Sequence, residues 1–342
     1  MNTLIKAAIR CSLLLLVPTV TYAISAQWDL DPTSGDWNTP VNWTPNAVPN
    51  GPADIATFGL SHTTDVSISA NTEVNSIIFT PAAGNPYTIS AGPDVTLTIS
   101  GVGVVNNSGI AQNFVTNGGQ FGQISFTNNA TAGNSTIFTN NHGVNNFQGG
   151  HTFFFDTSSA GSGTFINKNG AVGGLFQGFT EFFDSTIAGK ATIINNGSTM
   201  ANFGNGGGTG FLDSSSAGNA TIINDGGMAN NAGGGSTFFA DSSTAASATV
   251  TNNAGMVSGA SGGLTQFIGN ATAANGVFIN NGGTVSGARG GQTVFHDNST
   301  AGNSTLIANS GMNGGLGGTI FLYRIPLVAP HGWRRSATVV WT

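Results

Sequence analysis

The chain has 342 residues, of which only 6% are charged, and its 8 Lys and Arg against 14 Asp and Glu give a formal net charge of −6. So acidic and charge-poor a chain has no electrostatic footprint for nucleic acid, which is excluded as a partner. Its 52 Gly and 11 Pro together stay below the roughly 25–30% that marks low-complexity chains, and its 23 Phe promise a packed interior rather than disorder.

Residues 1–26 read as a signal peptide: basic Lys6 and Arg10, an apolar run from Cys11 to Val20, then small Ala23 and Ala26 where a peptidase could cut. The run is shorter than the ~20 residues needed to span a bilayer, so the mature chain is expected to carry no transmembrane segment. The expectation is a secreted or cell-surface protein, exported through a cleaved signal. Cys11 is the only cysteine. Without disulfides, stability outside the cell must come from backbone pairing and stacking.

Residues 27–115 hold Trp28, Trp37 and Trp43, followed by short β-type runs such as VNSIIF, YTIS and VTLTISG. They read as an atypical N-terminal cap with the first coils of a solenoid, whose raw apolar end must be covered. Capping suits the large indoles; stacking on sugars is their functional alternative.

From 116 to 322 one pattern recurs. Phe126, Phe154, Phe182, Phe211, Phe239, Phe267 and Phe295 are spaced by 28, 28, 29, 28, 28 and 28 residues, with Thr two positions before most of them. Asp156, Asp184, Asp213, Asp241 and Asp297 stand two positions after. An Ala-Thr-Ile-Ile-Asn-like run follows. The fourth copy offers three β-capable pieces, Thr209 to Asp213, Ala220 to Asn224, and a weaker stretch around Met228, with Gly and Asn breaking any helical period. Seven such repeats and the start of an eighth predict an all-β, three-sided parallel β-helix with an atypical Trp-rich cap. Whether one repeat makes one coil or two stays open at this point.

Alternation places the Phe column inside as a structural ladder. The residues that follow it, among them Phe155 and Phe183, face outward, where these two form an aromatic contact patch. The Asp ladder precedes Ser/Thr-rich turns and reads as turn chemistry, each carboxylate bonding a backbone N–H two residues on. Calcium between stacked carboxylates is the sharper alternative, but Asn128 and Gly269 interrupt the series and the Gly-Gly-x-Gly-x-Asp nonapeptide of calcium-binding rolls is absent. No cofactor or metal is therefore expected. The five histidines show no ligand spacing and are expected on the surface. An ice-binding sheet built on the Thr column would need paired Thr-x-Thr rows, which do not accompany it.

Residues 323–342 abandon the pattern. Arg324, Arg334 and Arg335 fall here, with two Trp where the repeats have none. The reading is a divergent tail produced by a frameshift or truncation, with the last coil, opening at Gly317-Gly318-Thr319-Ile320-Phe321, left exposed to end-to-end self-association.

The opening pattern, with Trp28, Trp37, Asn42, Trp43, Pro49, Pro52, Asp54 and Phe58, resembles that of bacterial autotransporter-passenger-like surface proteins, also described as autotransporter-associated β-strand repeat proteins, including relatives sorted by a PEP-CTERM signal. The resemblance implies export towards the outer membrane and a right-handed β-helix, and it carries over no catalytic residues. Neither the C-terminal translocator barrel nor the Pro-Glu-Pro sorting signal of those proteins is found in these residues.

Parallel β-helices also house polysaccharide-cleaving enzymes, which need carboxylates clustered about 5–9 Å apart. Here the acids are spread one per repeat. The expectation is thus a non-catalytic structural or adhesive protein, an adhesin-like rod whose partners are surface glycans or other surface proteins. The alternative is a carbohydrate-binding or polysaccharide-cleaving β-helix.

Overall fold

The computed structural model describes residues 23–118, 122–143, 148–170, 176–202 and 204–323, together with the backbone of 338–341. Most of the expected signal peptide and of the divergent tail lie outside the described residues.

One repeat shows how the local sequence builds a coil. Phe179–Phe182 forms a first strand, and a turn through Asp184 and Gly189 leads to a second, Thr192–Asn195. A glycine-rich loop then climbs to the first strand of the next coil, Gly208–Phe211. Thr180 pairs with Thr209 and Ile193 with Ile222, so one repeat is one coil. Successive coils lay their strands into two sheets. The first has 13 strands and runs from Trp43–Thr44 to Thr319–Leu322; the second has 11, from Asp65–Ile68 to Thr338–Trp341. Pairing is parallel throughout except where Ser25–Trp28 meets Trp43–Thr44. The sole helical element among the described residues is a 3-10 turn at Pro40–Asn42. The all-β solenoid expected from the repeats is the fold.

The two sheets face each other across the Phe column. From Phe126 to Phe295 the rings are buried and stack at 4.7 to 4.9 Å, tilted by only 5 to 7°. This is the spacing of adjacent strands, so a ring on every coil fills the core without a gap. The second sheet answers with Phe138, Phe165, Ile193, Ile222 and Val250, all buried, and Phe154 meets Phe165 edge to face at 5.7 Å.

Polar side chains are buried beside the rings. Asn140, Asn167, Asn195, Asn224, Asn252 and Asn280 are fully enclosed, and each of the first five donates from Nδ2 to Oδ1 of the next at 2.8 Å. The Thr column closes the network: Thr180, Thr209, Thr237, Thr265 and Thr293 donate to the Asn Oδ1 of the preceding strand at 2.8 to 2.9 Å. An amide ladder is tolerable in a core only when identical residues lie above and below, because each then satisfies its neighbour. It stops at Asn280, whose Nδ2 finds no acceptor because Ala308 occupies the next rung.

Glycine sets the close approach of loop to ladder. A Cβ on Gly178, Gly207, Gly235, Gly263, Gly291 or Gly318 would lie 2.0 to 2.1 Å from the carbonyl oxygen of the Asn beneath it. This position is the fixed point of the repeat. The extra residue of the 29-residue spacing accordingly falls in the preceding loop, between Asn195 and Gly208, and leaves both sheets in register.

Two expectations need correction. The stretch around Met228 is a turn, with Met228 40% exposed; the Gly-rich loop cannot hold an extended strand. A third line of parallel pairing instead runs through single bridges, such as Ser159, Ile187, Ser216 and Thr244, between the two strands of each coil. In the eighth coil Ile320 takes the Thr position and Leu322 the Phe position, which puts Phe321 on the outer face. Of the tail, the described backbone of Thr338–Trp341 pairs with Thr305–Ala308 and extends the second sheet.

The Asp ladder is structural, but its bonds run between coils rather than within its own turn. Oδ2 of Asp156, Asp184, Asp213, Asp241 and Asp297 accepts the backbone N–H of the equivalent residue one coil earlier at 2.7 to 3.1 Å. These Asp have φ of 51 to 61°, as does Asn128 at 55°, and Gly269 stands at 68°. Asp, Asn and Gly are the residues that tolerate this left-handed backbone. The two interruptions of the ladder therefore obey the same constraint as the Asp they replace.

Candidate functional site

Sugar stacking by the tryptophans is ruled out by geometry. Trp28, Trp37 and Trp43 are fully buried, packed against one another at 4.9 to 5.1 Å and against Phe58 at 5.6 to 6.0 Å. Their indole N–H groups donate to the carbonyls of Thr63, Pro49 and Trp37. They plug the end of the ring stack, which is the capping role. Tyr87 continues this packing above Phe58, donates to the Gly59 carbonyl at 2.8 Å, and has its phenol pKa pushed up by burial to about 12. Nearby Asp36 titrates below its ordinary range: burial opposes this, but hydrogen bonds from Thr39, Ser69 and the Asn38 N–H outweigh it.

The outer face of the first sheet carries the aromatic patch expected from Phe155 and Phe183, and it is larger than two rings. Phe155 and Phe183 stack at 5.1 Å with 14° between their planes. Phe153 joins both, at 5.8 and 6.1 Å, and His151 lies between Phe153 and Phe179 at 5.1 and 5.7 Å. His151 is 8% exposed, not the surface histidine expected, and its Nδ1 lies 3.3 Å from Glu181 Oε2. The patch is thus apolar apart from the His151–Glu181 contact.

Sequence reasoning missed Phe153, Phe179 and Phe238 because only the positions after the Phe column were read as outward. Two glycines extend the surface. A Cβ at Gly208 would strike the Phe179 ring at 2.1 Å, and one at Gly210 the Phe238 ring at 2.5 Å. These rings lean from neighbouring coils over a strip of bare backbone, as aromatic residues do when they shield glycine in a sheet. The signal that could have found them is the phrase Gly-Thr-Gly-Phe in a register where every other copy carries a side chain, with Phe179 and Phe238 in the two adjacent copies.

Nothing in this patch resembles a hydrolytic centre. Glu181 is its only carboxylate among the residues named, and it is bound to His151. A shallow cavity of about 400 Å³ elsewhere, lined by Asn106, Thr131, Asn134, Ser162 and Lys190, holds no carboxylate or histidine. Among the described residues no three or more His, Cys, Asp and Glu gather as a metal site, and no helix is long and apolar enough to cross a membrane. Comparison with protein-family models, with curated proteins and with solved structures found no match to this chain.

Proposed function

We propose that this is an exported, non-catalytic β-helix that serves a structural or adhesive role at a bacterial cell surface and makes contact through the aromatic outer face of its first sheet. The observation that carries the reading is the contiguous row of outward rings Phe153, Phe155, Phe179 and Phe183 on one sheet face. Contiguous outward aromatics that cost solubility and add nothing to the core mark interaction surfaces. Phe155 and Phe183 spend their ring faces on each other and turn edges outward, which favours burial against an apolar protein surface over stacking on a sugar ring. The signal-like N-terminus and the Trp-rich opening support export.

Beads coated with the purified protein, washed over films of surface proteins and of polysaccharides, test the reading. Retention on protein films is expected, with at least a several-fold loss in the Phe155→Ser/Phe183→Ser variant. Equal retention by the variant would remove the patch from the mechanism, and release of reducing ends from any polysaccharide would overturn the non-catalytic reading.

A further inference from the structure

The methionines gather at one corner of the solenoid. Met200, Met228, Met256 and Met312, the four methionines of the described residues, all fall in the loops that lead from the second sheet to the next coil. Met200, Met228 and Met256 follow one another at intervals of 28 residues, one on each of three consecutive coils, whereas Thr284 takes the next coil and sets Met312 apart. Backbone bonds stack these loops. The Met228 N–H donates to the Ser198 carbonyl at 2.7 Å and the Met256 N–H to that of Gly227 at 2.9 Å. In the loop below, the Met200 N–H donates to Ser198 Oγ at 3.1 Å.

Packing does not account for these side chains. Methionine ordinarily fills irregular gaps in a core, yet Met228 is 40% and Met256 60% exposed, and Met200 is half-buried. The position does not require an apolar residue, since Thr284 serves the same loop. Nor does the loop take its shape from the side chain. It closes on the preceding glycine, where a Cβ at Gly227 or Gly255 would lie 2.4 or 2.3 Å from the carbonyl oxygen of Ala232 or Ala260. What these positions retain is the thioether, and among the described residues the four methionines hold the only sulfur atoms.

We propose that Met200, Met228 and Met256 form a site for a soft monovalent cation, copper(I) or silver(I). Adjacent coils are about 4.8 Å apart, and a side chain with three rotatable bonds lets sulfurs on neighbouring coils turn towards one ion. That spacing would serve any residue type; the donor selects the ligand. Neutral, polarisable thioethers hold soft ions such as copper(I), and they offer nothing to calcium or magnesium, which take oxygen. The loops between Asn195 and Gly208, Asn224 and Ser236, and Asn252 and Leu264 carry no Lys or Arg to oppose a cation, and Asp225 lies three residues before Met228. The expectation of no metal rested on carboxylates and histidines, and thioethers fall outside it.

Silver titration of the full chain, with the methionine methyls labelled for NMR and assigned by single Met→Leu variants, tests the site. The Met200, Met228 and Met256 methyls are expected to shift together and to saturate at one silver per chain, with Met312 moving only in excess and calcium shifting none. Met228→Leu/Met256→Leu keeps side-chain volume, so its circular dichroism spectrum and melting temperature should be unchanged while silver affinity falls at least tenfold; Met312→Leu should bind as the unaltered chain does. X-ray absorption of the copper(I)-loaded chain should show sulfur neighbours. Equal response of all four methyls, undiminished affinity in the double variant, or a copper shell built from nitrogen overturns the proposal. The film assay reads the first-sheet patch, so either proposal can fail without the other.

Discussion

At the scale of single residues, the turn between the two strands of a coil shows how backbone conformation selects side chains. Gly133, Gly161, Gly189, Gly218 and Gly302 occupy one turn position with φ of 57 to 77°, but two copies carry Ala246 at 49° and Ala274 at 48° instead. A Cβ in the left-handed region costs about 1–2 kcal/mol, part of which is returned because alanine has less freedom to lose on folding. Ala246→Gly and Ala274→Gly are therefore each expected to raise stability by about 0.5–1 kcal/mol, although both substitutions remove a side-chain atom. Urea melts of the two variants check this, and a lowered midpoint in both would show that the turn is not strained. The Asp positions obey the same rule. Their recurrence was plain from the sequence, but the reason Asn128 and Gly269 can stand in for them was not. A list of residues does not state the sign of φ.

At the scale of the element, the column is the unit that matters, since no four-residue strand is stable alone. The Phe stack runs through the core as one buried column, and the Asn ladder with its Thr donors ties the second sheet to the first. Asn224→Ala would take away the acceptor of the Thr237 hydroxyl and one acceptor of Asn195 Nδ2, which keeps the Ser236 carbonyl at 3.0 Å. The orphaned hydroxyl costs about 1–3 kcal/mol, so the variant is expected to lose at least that much. Equilibrium denaturation reads this directly, and a loss no larger than that of a surface alanine would mean that the ladder adds nothing beyond packing. The ladder was not legible in advance. In Thr192-Ile193-Ile194-Asn195 a hydrophobic reading buries both isoleucines and exposes the amide, whereas the structure buries Ile193 and Asn195 and turns Ile194 out. The amide goes in because its partner is its own copy one coil away, a relation that spacing hints at and only stacking completes.

For the whole molecule, stability is distributed along one axis, with each coil contacting its neighbours. Excision of residues 212–239 would join Phe211 to Ala240, remove one coil, and bring each interrupted column back into register. The shortened chain is expected to fold with the same all-β spectrum and a modestly lower melting temperature. Deleting half as many residues should break the register of both sheets and abolish folding. Circular dichroism with thermal melts separates these outcomes; equal tolerance of both deletions would contradict a one-coil repeat.

The sequence by itself determined the architecture: the period, the all-β class, the inward Phe column, the capping role available to Trp28, Trp37 and Trp43, and an outward pair in Phe155 and Phe183. These were readable because each depends on a residue type recurring at one position, and a repeat proclaims its own alignment. Tertiary structure decided which way the remaining side chains point and what they meet. It buried the Thr column against the Asn ladder, enclosed the tryptophans, assembled Phe153, Phe179 and His151 around the expected pair, and turned a column of Thr and Ile outward along the other sheet. Alternation with period two divides a strand into two faces but does not say which one is inside. That choice belongs to contacts made 28 residues away, where the coil above supplies the hydrogen-bond acceptor, the ring or the bare backbone that makes one orientation lower in energy.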